Sequence, residues 1–163
     1  MGDNRYIDLA DFGKRLLNAS SLEEGLPLIS NYSKSIIHAE RCSIFIHDQH
    51  KNELWTILAD GVQRITISAD KGIASKALEL KQTLITNDTN KSPDFLSEVD
   101  QKSGFKTKNI IATPVFNTSN EVIGILELLN KEGGFTKEDE RFMHFFANFI
   151  SGYIELATFY KNR

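Results

Sequence analysis

The chain has 163 residues, 40% of them apolar and 25% charged, with a formal net charge of −3. That length suffices for one domain with a real core, and the mix is that of an ordinary globular protein. Lys and Arg are scattered among acids, so no basic face for nucleic acid is expected. The polar start, Met1-Gly-Asp-Asn-Arg, has no apolar segment behind it, and no apolar run approaches the roughly 18 residues of a membrane span. A single cysteine, Cys42, excludes an internal disulfide and fits a reducing compartment, which points to the cytoplasm.

Residues 5–19 place Ile7, Leu9, Phe12, Leu16 and Leu17 at helical spacing. Ser20 or Ser21 can cap a second helix, with Glu23 and Glu24 in its first turn. That helix carries Leu26, Ile29, Tyr32, Ile36 and Ile37, and Pro27 falls early enough to be tolerated. The period then changes from 3.6 to 2. Residues 42–46, 53–59 and 62–68 read as strands, with a turn at 47–52 and a second at Asp60-Gly61. Residues 72–80 read as a short helix, 83–85 as a short strand and 87–97 as a polar loop, followed by a helical turn ending at Gly104. Two strands, 109–116 and 121–129, flank a turn at 117–120. Residues 137–160 form a closing helix with Phe142, Phe145, Phe146, Phe149, Tyr153, Leu156 and Tyr160. Strands joined by tight turns are antiparallel. The expectation is an α+β protein: one six-stranded antiparallel sheet between helices, in three layers. The chain reads as a single domain over 1–163, with an N-terminal helix in 1–21, a core in 22–136 and a C-terminal helix in 137–163.

The stretch 124–140 carries the most specific pattern: Gly-Ile-Leu-Glu-Leu-Leu-Asn-Lys-Glu-Gly-Gly-Phe-Thr-Lys-Glu-Asp-Glu. Asn130 and Lys131 end a strand, Gly133 and Gly134 make a turn, and Thr136 opens a helix with Asp139 in capping-box position. It resembles the Asn-Lys…Phe-x-x-x-Asp-Glu signature of GAF domains of the cyclic-nucleotide phosphodiesterase and adenylyl cyclase type. Here the signature is Asn130, Lys131, Phe135, Asp139 and Glu140. The resemblance extends from about residue 22 to 160 through Arg41-Cys-Ser-Ile-Phe, Ala69-Asp-Lys-Gly-Ile-Ala, the block 99–110, Ala112-Thr-Pro-Val and the strand before Asn130. It implies the GAF fold, profilin-like and PAS-like, with strand order 3-2-1-6-5-4. Both charges flank one tight turn, so a Lys131–Asp139 pair is expected to lock the last strand to the last helix.

The resemblance also implies a pocket between the sheet and the middle loop and helices. Its cyclic-nucleotide contacts map to Ser43, Asp60, Ile73, Asp100, Ser103, Thr107 and Glu127. Backbone amides of Ile73 and Ala74, after Gly72, can face an anionic phosphate. Ser103 and Thr107 can donate hydrogen bonds, and Asp60, Asp100 and Glu127 can accept them. Ala59 stands where the family's nucleotide binders often place an aromatic, and Ser103 where Thr is common. The implied ligand is a small molecule, with cyclic AMP or cyclic GMP as candidates; no cofactor is implied.

No catalytic set is legible. Cys42 starts an apolar strand, where a free thiol acts as a small core residue; the family's methionine-sulfoxide-reducing members need more than one cysteine. His38, His47, His50 and His144 are too scattered for a metal site, and Ser43 lacks a glycine-flanked elbow. The expected role is regulatory, not enzymatic: a sensor that binds a small molecule and signals through its terminal helices to an output enzyme or kinase domain. The alternative is a ligand-free dimerisation module with a vestigial pocket. The closing helix has apolar positions on more than one stripe, so a homodimer through helices 5–19 and 137–160 is expected.

Overall fold

The computed structural model describes residues 5–60, 64–97, 100 and 104–161. Two helices, α1 (Arg5–Leu17) and α2 (Leu22–Ile37), precede three strands, β1 (Ala39–Asp48), β2 (Glu53–Ala59) and β3 (Thr66–Ser68). Then come α3 (Ile73–Leu80), β4 (Leu84–Thr86), a 3-10 turn at Thr89–Lys91, β5 (Ile110–Phe116), β6 (Val122–Lys131) and α4 (Lys137–Lys161). Ser21 is the cap of α2; its hydroxyl accepts from the Glu24 amide. The third strand is shorter than the expected 62–68. Ile65, just before it, is held instead by Thr56, whose Oγ1 accepts from the Ile65 amide at 2.8 Å, and residues 61–63 lie outside the described residues. The polar loop after β4 contains the 3-10 turn, capped by Asp88 through the Asn90 amide. The expected helical turn before Gly104 falls largely on 98–99 and 101–103, outside the described residues.

The sheet is fully antiparallel with order β3-β2-β1-β6-β5-β4. Its two faces carry different cores. Cys42, Ile44 and Ile46 of β1, Leu126 and Leu128 of β6, and Ile111 and Val115 of β5 join α1, α2 and α4 in one cluster. Phe45, Ile125, Ile110 and Ala112 join Ile73, Ala74 and Ala77 of α3 in the other. The alternation is the ordinary period of a strand covered on both faces. Gly124 is required where β6 crosses β1, because a Cβ there would sit 2.4 Å from the Phe45 carbonyl oxygen.

The junction of β6 and α4 carries a dense set of hydrogen bonds. Asn130 adopts φ 62°. Its Oδ1 accepts from the Lys108 amide at 2.7 Å, and its Nδ2 donates to the Lys106 carbonyl and to Glu40. Gly133 and Gly134, both at positive φ, turn the chain, and Asn87 takes both backbone groups of buried Phe135. Asp139 then receives Lys131 Nζ at 2.6 Å, Arg5 at 2.9 Å and the Thr136 amide at 2.9 Å, while Thr136 Oγ1 accepts from the Asp139 amide. Burial alone would push the Asp139 carboxyl up. The hydrogen bonds from Lys131, Thr136 and Arg5 outweigh it and hold the group below its ordinary value. Glu140 follows in the first turn of α4, where its charge complements the helix dipole.

Candidate functional site

On the face opposite α1, α2 and α4, the sheet forms the floor of a cleft. Its walls are α3, the segment 65–67 and the loop residues Phe95, Leu96, Asp100, Phe105 and Thr107. Register fixes what the floor presents. Ser43 pairs with Ala59 on one side and Glu127 on the other; Glu127 pairs with Ala112, and Ala112 with Leu84. Directly paired residues share a face, so one row crosses the sheet as Ala59, Ser43, Glu127, Ala112 and Leu84. Glu127 is thus a carboxyl set among small and apolar neighbours in the middle of a sheet. Burial, helped by the charge of Asp100, pushes it up to about 7. Neither its carboxyl nor the buried Ser43 hydroxyl has a hydrogen-bond partner among the described residues. Both line the cleft, and Glu127 is only half-buried there.

The other mapped residues stand as follows. Ile73 and Ala74 are buried at the start of α3, after Gly72 at φ 97°, and no side chain caps that helix. Its first amides are therefore without intrahelical acceptors. Asp100 and Thr107 hold each other: the Thr107 amide and hydroxyl both donate to the Asp100 carboxylate at 2.7 Å. Thr107 also accepts from Thr89 through its carbonyl. Asp60 lines the rim, but its Oδ2 is committed to the Cys42 amide at 2.9 Å and to Lys34 at 2.7 Å, which ties β2 to α2. Ser103 lies outside the described residues.

Among the lining residues that escaped the sequence reading are Arg41, Phe95 and Phe105. Arg41 stands two residues before Ser43 on the same strand, so the period-2 rule already put it on the same face. Its guanidinium lies 3.8 Å from the ring centroid of Phe105. The aromatic surface that Ala59 does not supply is present from the loop side, in Phe95 and Phe105. The cavity volume is about 70 Å³, far below the roughly 300 Å³ at which pockets for ordinary small molecules begin. A ligand of nucleotide size therefore requires Phe95, Leu96 and Phe105 to move outward.

The GAF domain family profile matches residues 21–154. The chain belongs to the GAF domain family. Among curated proteins, the probable 3′,5′-cyclic phosphodiesterase pde-5 of Caenorhabditis elegans is 24% identical over 155 residues, covering 86% of this chain and 21% of that protein. The cGMP-specific 3′,5′-cyclic phosphodiesterase of Drosophila ananassae is 28% identical over 132 residues, covering 71% of this chain and 11% of that protein. This GAF domain thus spans a small part of the curated relatives it matches. Among solved structures, the GAF domain of a phosphoenolpyruvate-protein phosphotransferase from Coxiella burnetii superposes with a TM-score of 0.85 at 19% identity, over 98% of both chains. Among the described residues, no helix is long and apolar enough to cross a membrane.

Proposed function

We propose that this GAF domain is a regulatory sensor whose ligand occupies the cleft on Glu127 and Ser43. The observation that carries the reading is that pair of polar side chains, adjacent on the sheet and lining the cleft, Ser43 buried and Glu127 half-buried, without hydrogen-bond partners among the described residues. An inert core would place apolar groups there. The ligand is a small molecule bearing hydrogen-bond donors for Glu127. A cyclic nucleotide fits this description: an amino or imino group of the base meets the carboxyl, and the phosphate meets the open amides of α3. The phosphodiesterase relatives make cyclic GMP and cyclic AMP the first to try. No catalytic step is proposed, and no cofactor.

Binding would displace Phe95 and Phe105, and the sheet would pass the change to α4 through β6 and the Lys131–Asp139 contact. The natural readout is the arrangement of two chains, in the cytoplasm, joined through α1 and α4 to an output enzyme or kinase domain. These helices expose Ile7, Leu17, Leu156 and Phe159, and an apolar stripe of this kind marks an interface. The same stripe favours the second reading, a dimerisation module without a ligand. Calorimetry with cyclic GMP and cyclic AMP, on wild type, Ser43→Ala and Glu127→Gln, separates the two. The sensor reading expects binding, weakened by about 1–3 kcal/mol in the variants. No heat from either nucleotide at millimolar concentration removes the nucleotide; sedimentation in which Leu156→Glu converts a dimer to a monomer then leaves the dimerisation module.

A further inference from the structure

Arg41 is the only basic side chain among the described residues that line the cleft; the other charged groups are Asp60, Asp100 and Glu127. Asp60 is neutralised by Lys34, and Asp100 is held by Thr107. Arg41 pairs with Leu129 in the ladder, and Glu127 pairs with Ser43. The two are therefore diagonal neighbours on one face, about 7–8 Å apart at the backbone. That is within reach of an arginine, yet no ion pair or hydrogen bond of Arg41 occurs among the described residues. Its guanidinium rests on the face of Phe105 instead. A partly buried arginine without a carboxylate, beside a carboxyl without a cation, is two unmet partners facing the same space.

We propose that Arg41 joins the open amides of α3 in binding the anionic group of the ligand, and that Phe105 holds it in reserve until then. This rests on the reading of the cleft as a ligand site. The ligand is then bipolar, with an acidic group at Arg41 and hydrogen-bond donors at Glu127. An anion entering beside Asp100 and Glu127 needs a counter-charge, and Arg41 supplies it. A guanidinium on a ring face is held more weakly than one forked onto an oxyanion, so the exchange runs toward the ligand.

The test separates this from the ligand reading itself. The Nε–H resonance of Arg41, assigned by its loss in Arg41→Gln, is followed by NMR during titration with inorganic phosphate and, at matched ionic strength, with sodium chloride. A saturable shift with phosphate alone is expected, and Phe105→Leu should tighten it by removing the competing ring. Equal response to chloride and phosphate overturns the proposal. In parallel, cyclic GMP and guanosine are titrated into wild type and Arg41→Gln. Arg41→Gln should weaken cyclic GMP by roughly tenfold to hundredfold and leave guanosine unchanged. If cyclic GMP binds equally to both proteins, Arg41 is not the anion site and the nucleotide reading stands. If no nucleotide binds but phosphate still shifts Arg41, the nucleotide reading falls and the anion site stands.

Discussion

Asp139 and Glu127 are carboxyls at the two ends of the same short stretch of chain, one on the helix side of the sheet and one on the cleft side. Asp139 is 1% exposed and receives Lys131, Arg5 and a backbone amide. Glu127 receives nothing among the described residues. The first is held below its ordinary value and the second is pushed up to about 7. Desolvation raises both; the donors around Asp139 reverse its direction, while Glu127 has none among the described residues and the Asp100 charge adds to its rise. A satisfied buried acid fastens a structure. An unsatisfied one, on an open cleft, marks where something else is to be bound.

The sharpest way to break this comparison is to remove each acid in turn. Asp139→Ala removes the carboxylate that Lys131 and Arg5 share, and should cost about 3–5 kcal/mol in urea unfolding. Lys131→Ala should cost less, because Arg5 still neutralises the carboxylate. A loss within 1 kcal/mol for Asp139→Ala would mean that the junction is not a lock. Glu127→Gln should act in the other direction. The folded value of about 7 lies above the ordinary glutamate value of 4.5. The unfolded chain thus loses its proton first as pH rises, and stability falls between pH 4.5 and 7 and stays low above. The difference amounts to roughly 3 kcal/mol. Glu127→Gln should flatten that slope and be more stable than wild type at pH 8. Asp139 has the opposite sign: its contribution is whole above its unfolded value of 3.8 and is lost as pH falls through its lower folded value. Thermal melts from pH 3 to 8 on the three proteins check both signs.

What the sequence disclosed follows the same division. Every strand was legible where alternation is set by a two-sided core, as in β1, β5 and β6. The turn at Gly133-Gly134 and the cap at Thr136 were legible because each is a local rule. The site was legible only in part. The positions of Ser43 and Glu127 follow from the strand period once the register is known, but the register depends on long-range pairing that no local window contains. Asp60 looked like a free acceptor, yet its carboxylate is turned to the Cys42 amide and Lys34, a contact from another element. Arg41 was within reach of the strand period, but its meeting with Phe105 was not, since that contact is set by the loop and not by spacing.

A smaller effect tests the cap that belongs to the Asp139 corner. Thr136 Oγ1 accepts from the Asp139 amide at 3.1 Å. Thr136→Ala should cost about 1 kcal/mol while leaving the Lys131–Asp139 contact in place, so its loss should add to that of Lys131→Ala only incompletely. A double-mutant cycle in urea measures the coupling, and strict additivity would separate the cap from the lock.

The finest version of the comparison uses two buried threonines. Thr113 lies on β5 in the row Ile44, Leu126, Thr113, under the helix layer, and is 0% exposed. Its hydroxyl has no hydrogen-bond partner among the described residues. Thr56 is also buried, but its hydroxyl accepts from the Ile65 amide at 2.8 Å and fixes the chain entering β3. Valine matches threonine in shape at both positions. If donors decide the sign, as they do for the two acids, the same substitution must act oppositely. Thr113→Val removes a hydroxyl that nothing satisfies, on a face with no cleft, and should stabilise by roughly 0.5–1 kcal/mol. Thr56→Val strands the Ile65 amide and should destabilise by about 1 kcal/mol. Thr113 also provides the control for Glu127: neither group is satisfied, but only one faces a space that a ligand can enter. Thr113→Val should therefore raise the melting temperature and leave every ligand titration unchanged. A fall in stability on Thr113→Val would show that the hydroxyl has a partner after all, and the unmet groups on the cleft side would lose their meaning as a mark of function.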